Sequence, residues 1–203
     1  MLLNTPEFLK YFFPSLVWRK ETSKKKIWLT FDDGPSEETT PFILNILKKE
    51  NIKATFFLIG KKIEKHPHLF KQIISDGHII GNHSYSHQNG WLCTTSSYLN
   101  DIQKCQKLMP QNYLFRPPYG KISPFQIRKI KKRYKIILWD VLSWDFLQNT
   151  TTKKIQENVL QNTKAGSIIV FHNNQKSLKN LKPILQETIH KLKTKGFLFS
   201  TSW

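Results

Sequence analysis

Seven short runs of β-branched and aromatic residues punctuate the chain: 27–31 (IWLTF), 54–59 (ATFFLI), 78–80 (HII), 113–116 (YLFR), 135–141 (KIILWDV), 167–171 (SIIVF) and 197–199 (FLF). Each reads as a strand. Longer stretches of mixed polar and apolar residues separate them and predict helices at 37–50, 61–75, 94–109, 123–133, 152–163 and 177–194. Pro41 stands near one helix start, and Ser123-Pro124 reads as an N-cap followed by proline at the first helical position. Strands alternating with helices imply a parallel sheet covered by helices. With some seven such units in one domain, a closed or nearly closed (β/α) barrel is favoured over an open sheet, and the pattern allows both.

Polar clusters follow the strands. DDGP comes after the first, GNHSYSH after the third, RPPYG after the fourth, DVLSWDF after the fifth and FHNN after the sixth. Sites in α/β folds assemble at the C-terminal ends of the strands, so these clusters are expected to converge on one mouth.

Length and composition narrow the picture. A chain of 203 residues suggests one domain with a full core. Residues 1–24 are expected to pack on it as an N-terminal extension, with 25–203 as the domain that carries these clusters. No apolar run reaches the roughly 20 residues of a membrane span. The opening MLLNTPEFLKYFFPSLVWRK lacks a basic start, a continuous apolar run and a small-residue cleavage site, which leads to an expected cytoplasmic location. Cys93 and Cys105 read as free thiols of a reducing compartment. The net charge of +18 raises the question of an anionic partner. The lysines are spread along the whole chain, however, and no basic-aromatic recognition motif accompanies them, so no specific nucleic-acid partner is expected.

The clusters carry chemistry. HSYSH sets His83 and His87 four residues apart, on one side of a tight turn. Alone, the pair reads as two solvated histidines. With a carboxylate from another strand end, it becomes a three-ligand set with open positions, as a catalytic metal requires. Zinc suits hydrolysis, and non-haem iron uses the same ligand types. Hydrolysis also needs a base. Two adjacent carboxylates, Asp32 and Asp33, can divide the labour: one ligates, and the other takes a proton. The free one must be held ionised, and Arg116 at another strand end offers the fork. His172, at the end of a very apolar strand, is a natural general acid if a carboxylate holds its tautomer. Asp145 and Asp140 both qualify for that task.

TFDDGP, HSYSH, RPPYG and FHN, in this order, resemble the motif series of the polysaccharide deacetylases, a carbohydrate esterase family that includes chitooligosaccharide deacetylases. ATFFLIG and GHIIGNHSYSH are similar to that family too, and the resemblance spans roughly residues 25–200. It implies a distorted (β/α) barrel, often seven-stranded. It also implies a divalent metal, usually Zn2+ with Co2+ as a substitute, and removal of acetyl groups from N-acetylated or O-acetylated sugars. Carried over by position, Asp32 is the base, Asp33, His83 and His87 are metal ligands, and Arg116 tethers Asp32. Pro117, Pro118 and Tyr119 of the RPPYG turn meet the substrate, with the Tyr119 N–H facing the oxyanion, and His172 is the acid.

Three positions depart from the family pattern. Leu142 stands where an acid is common and Phe146 where a tryptophan is common, while Asp145 matches the second acid. Asn173 stands where an Asp is frequent. The altered LSWDF segment keeps a second reading in view, a catalytically weak carbohydrate-binding relative.

Overall fold

The structure, a computed structural model, describes residues 11–203. The strands are β1 (Leu16–Val17), β2 (Lys26–Gly34), β3 (Thr55–Leu58), β4 (Ile79–Asn82), β5 (Leu114–Phe115), β6 (Lys135–Ile137), β7 (Val141–Leu142), β8 (Ile168–His172) and β9 (Leu198–Phe199). The helices are α1 (Thr39–Lys49), α2 (Gly60–Lys65), α3 (Pro67–Ser75), α4 (Thr95–Gln106), α5 (Pro124–Ile130), α6 (Thr152–Asn162) and α7 (Gln175–Thr194), with 3₁₀ turns at Gly90–Leu92 and Pro118–Gly120. The strands pair in parallel in the order β1-β6-β5-β4-β3-β2-β8-β7, and β9 joins the start of β2. The product is a curled, distorted (β/α) barrel.

Eight strands stand on this path where seven were expected, and the difference has a local cause. The run 135–141 is not one strand. Its Leu138 N–H donates to Val17 O at 2.8 Å, and its Asp140 N–H to Ile168 O at 3.3 Å. The chain therefore leaves one end of the sheet at β6 and joins the other end as β7, crossing the gap in the barrel. The carboxylate of Asp140 fixes that crossing, accepting the Ser167 hydroxyl at 2.9 Å and the Ile168 N–H at 2.7 Å. β1 is only two residues long, too short to show alternation.

The central strand β2 shows the period-two logic of the core. Ile27, Leu29 and Phe31 pack outward with Phe56, Leu58, Ile169 and Phe171, under Ile43 and Leu47 of α1 and Leu181 and Leu185 of α7. Trp28 faces inward with Phe57, Leu114, Ile137 and Ile168. Each such buried side chain stabilises the fold by roughly 1.5–3 kcal/mol. Thr30 and Asp32 continue the inward row, so an apolar barrel floor gives way to polar groups at the C-terminal end.

Most predicted helices keep their places. The 61–75 segment divides at His66 (φ −129°, ψ 59°), because the ring of Pro67 pushes the residue before it out of the helical region. Ser123 does cap its helix, in a reciprocal arrangement with Gln126. Both cysteines are free.

Candidate active site

In a regular strand Asp32 and Asp33 would point to opposite faces. Here the β2–β3 register shifts between Asp32 and Gly34, and Asp33 adopts φ +74°. The bulge re-aims Asp33, so both carboxylates line one cavity of about 1130 Å³ at the C-terminal end of the barrel. Ser84, His87, Tyr119 and Trp144 also have positive φ. Such conformations cost non-glycine residues energy, and here they gather in the segments around the cavity.

Asp33 Oδ1 lies 3.5 Å from His83 Nε2 and 3.1 Å from His87 Nε2. One ligand atom from each of the three residues fits within a 4.8 Å group. His83 Nδ1 is 2.8 Å from the Arg116 carbonyl oxygen. A carbonyl only accepts, so Nδ1 carries a hydrogen and Nε2 is the nitrogen turned toward the cluster, able to ligate once it holds no proton. His87 Nδ1 meets the Tyr119 hydroxyl at 3.1 Å. Burial works against charge on Asp33, but hydrogen bonding to His83 and His87 and the nearby His172 hold it well below the usual carboxylate range. Two imidazole nitrogens and an ionised carboxylate are a donor set that fits a divalent metal. The sequence did not single out Asn174, whose Nδ2 donates to Asp33 Oδ2 at 2.7 Å. Its signal was local: Asn174 also caps α7 by accepting the Ser177 N–H.

Asp32 is only 4% exposed and accepts from Arg116 Nη1 at 2.6 Å. Arg116 is wholly buried. Its Nη1 also donates to Thr30 Oγ1 at 2.7 Å, Nε to Ile137 O at 3.2 Å and Nη2 to Leu138 O at 3.1 Å. Its guanidinium carbon lies 4.1 Å from the centroid of the Phe57 ring. Burial lowers its pKa from the ordinary value, and the attraction of Asp32 opposes that shift.

On the other side, His172 Nδ1 is 2.7 Å from Asp145 Oδ1, and the His172 backbone N–H donates to Asp145 Oδ2 at 2.8 Å. The Ser143 hydroxyl donates to Asp145 Oδ1 at 2.8 Å. Of the two candidates, Asp145 is the one that holds His172, while Asp140 is occupied at the barrel crossing. Burial disfavours the imidazolium, yet Asp145, Asp33 and Asp32 together raise His172 to about 9.

The cavity wall between these groups is apolar, with Leu142, Trp144, Phe146 and Val170 beside His172. Phe146 packs edge-on against the His172 ring at 4.8 Å. Tyr119 lines the cavity. Pro117 and Pro118 are buried; they shape the turn, whose Pro118–Gly120 segment puts Tyr119 at φ +61°. Asn173 is buried too: its side-chain oxygen accepts the Thr40 hydroxyl at 3.0 Å, and its N–H donates to Asp32 O at 2.6 Å.

Known proteins carry the same frame. A family model described as Polysaccharide deacetylase matches residues 19–136. A peptidoglycan-N-acetylglucosamine deacetylase of Bacillus cereus is 39% identical over 186 residues, covering 88% of this chain and 67% of that protein. The crystal structure of a peptidoglycan N-acetylglucosamine deacetylase in complex with 4-naphthalen-1-yl-N-oxidanyl-benzamide superposes with a TM-score of 0.88 at 36% identity, covering 97% of this chain and 94% of that one. A CE4 family pseudoenzyme from Bacillus anthracis superposes with a TM-score of 0.81 at 27% identity, covering 92% of this chain and 66% of that one. The barrel, its cluster of polar strand ends and these likenesses agree: the chain belongs to the polysaccharide deacetylase family and is a hydrolase that removes acetyl groups from N-acetylated sugars.

Proposed function

We propose that the substrate is an N-acetylglucosamine residue of peptidoglycan or a similar glycan, and that Asp33, His83 and His87 hold one Zn2+, with Co2+ able to replace it. The observation that carries this reading is the convergence of two held groups on one cavity. Asp32 is clamped by Arg116 and His172 by Asp145, with the three-ligand cluster beside them. The activity for which the Bacillus cereus relative is named supports the substrate class. A cation bound at the cluster supplies Lewis-acid polarisation of the acetyl carbonyl and activation of water.

The protein groups do the rest. Asp32 accepts a proton from the attacking water, and Arg116 keeps it aimed. Water adds to the acetyl carbon, and charge grows on the acetyl oxygen. The Tyr119 N–H, in its left-handed turn, donates to that oxygen. The carbon–nitrogen bond breaks as His172 gives its proton to the leaving amine, and acetate and a free amino sugar result. Leu142, Trp144 and Phe146 shield the acetyl methyl from water. Intact ligands and an intact base favour turnover over a binding-only role, despite the likeness to a pseudoenzyme.

Acetate release from N-acetylglucosamine oligomers, peptidoglycan fragments and acetylated xylan, with Zn2+ or Co2+ added, tests this reading. Release from the first two is expected, and so is inhibition by the hydroxamate bound to the relative. Release from acetylated xylan alone would replace the substrate. No release from any of them, with metal bound, would favour the binding-only role.

A further inference from the structure

The cavity continues past Tyr119 onto an exposed indole. Trp91 lines it and remains 64% exposed. A lone exposed aromatic needs no explanation, but this one is built into a fixed position. Its Nε1–H donates to Ile122 O at 3.2 Å, and its backbone N–H donates to Asn89 Oδ1 at 3.0 Å. The preceding Gly90 carbonyl accepts from Gln126 Nε2 at 2.8 Å, and Gln126 Oε1 accepts the Ser123 N–H at 2.9 Å. A Cβ on Gly90 would come within 2.5 Å of the Lys121 carbonyl oxygen, so the two segments touch. The Gly90–Leu92 turn is thereby fastened to the loop that leads into α5. Lys121 also lines the cavity, with its Nζ 5.3 Å from the indole centroid. Two residues earlier, the Tyr119 ring meets His87 at 4.6 Å. Trp91, Lys121, Tyr119, His87 and Asp33 all line the same cavity.

We propose that Trp91, with Lys121, is a stacking platform for a second sugar ring, one unit along the glycan from the sugar that loses its acetyl group. This rests on the deacetylase reading above and extends it to chain length. A pyranose presents an apolar C–H face and a rim of hydroxyls. A flat indole already fixed by its own hydrogen bonds buries that face at little cost in side-chain entropy, and the adjacent ammonium donates to the hydroxyls. A monosaccharide in the site leaves the platform bare, so chains of two or more units are the preferred substrate.

The test compares acetate release from N-acetylglucosamine and from its linear tetramer. The unsubstituted protein should prefer the tetramer in kcat/KM. Trp91→Ala should cut that preference about tenfold, mainly through KM, as expected for loss of one aromatic contact. Trp91→Phe should restore most of it, and Lys121→Met should reduce it less. Equal kcat/KM for both substrates in the unsubstituted protein overturns the platform. So does a Trp91→Ala variant that slows both substrates by the same factor, which would mark a structural role. Absence of release from both substrates overturns the deacetylase reading and the platform with it, whereas release without chain preference overturns the platform alone.

Discussion

Two buried carboxylate–cation pairs line this site, and their geometries are nearly the same. Asp32 meets Arg116 at 2.6 Å, and Asp145 meets His172 at 2.7 Å. Asp32 and His172 are even register partners on the adjacent parallel strands β2 and β8. What separates the pairs is the cation. Arginine stays protonated at any working pH, so it holds the Asp32 carboxylate in place and takes no part in proton exchange. Histidine titrates, so Asp145 loads it with a proton that it can later release. One arrangement thus serves a base and an acid, according to which partner is able to lose its proton.

The largest expected effect comes from removing the charge of the first pair. Asp32→Asn keeps the size of the side chain and removes its basicity, so turnover should fall by about 10²–10⁴-fold with bound metal retained. Asp33→Asn should lose both metal and activity. Metal analysis beside acetate release separates the two neighbours. Loss of metal in Asp32→Asn and its retention in Asp33→Asn would reverse their roles.

The next effect falls on stability. Arg116→Ala strips the cation from a buried carboxylate and orphans the carbonyls of Ile137 and Leu138, which span the barrel crossing. Breaking a buried pair in this way costs about 3–5 kcal/mol, which at this chain length lowers the melting midpoint by roughly 6–20 °C. Arg116→Lys should recover little of it, because an ammonium cannot serve four acceptors in a plane. Thermal unfolding of the metal-free proteins measures this directly. An unshifted midpoint in Arg116→Ala would show that the pair holds the base without holding the fold.

The first pair was legible in the sequence and the second only in part, for physical reasons. Asp32, Asp33, His83, His87 and Arg116 sit in short motifs at strand ends, where the α/β topology fixes their convergence. Which side of β2 faces the barrel interior was not legible in IWLTF, because both faces are buried: Ile27, Leu29 and Phe31 pack under the helices and Trp28 packs inside. Asp145 and Asp140 were indistinguishable because their segment departs from the strand. Where 138–140 crosses the barrel gap depends on both ends of the sheet, which no local pattern encodes. The bulge at Asp33 was equally hidden. It is a backbone event, and a run ending in FDDG reads as an ordinary strand terminus. The two-residue strands β1 and β7 carry too few positions to show a period.

Breaking the acid of the second pair should cost less than breaking the base. His172→Ala should reduce turnover of the acetamide on the order of 10²-fold and leave bound metal intact. The alkaline limb of the rate profile should flatten. An acetyl ester should suffer less, since an alkoxide leaves more readily than an amine. An unchanged alkaline limb would assign the proton donor elsewhere.

The smallest effect, and the sharpest on the comparison, is expected from Asp145→Asn. The amide oxygen that replaces the carboxylate can still accept the His172 Nδ1 hydrogen, so the ring should keep its place. The charge goes, and with it the Oδ2 acceptor of the His172 backbone N–H. His172, now at about 9, should fall toward the ordinary value of about 6.5, with burial pulling it down and Asp33 and Asp32 still pulling up. In the metal-loaded enzyme the limb of the unsubstituted protein should lie somewhat below 9, because the cation cancels part of the pull of Asp33. Asp145→Asn should move that limb to lower pH, with little change in acidic-side rates. Stability must follow the same linkage. A histidine raised in the folded state lends stability that is complete below about pH 6.5 and is lost as pH rises through about 9. The unsubstituted metal-free protein should therefore lose stability across that window, and Asp145→Asn should lose less. Nuclear magnetic resonance titration of the His172 ring, with pH-dependent unfolding of both proteins, reads the two shifts independently. A limb that stays in place while the ring pKa falls would separate the group seen in the rate from the imidazole held by Asp145.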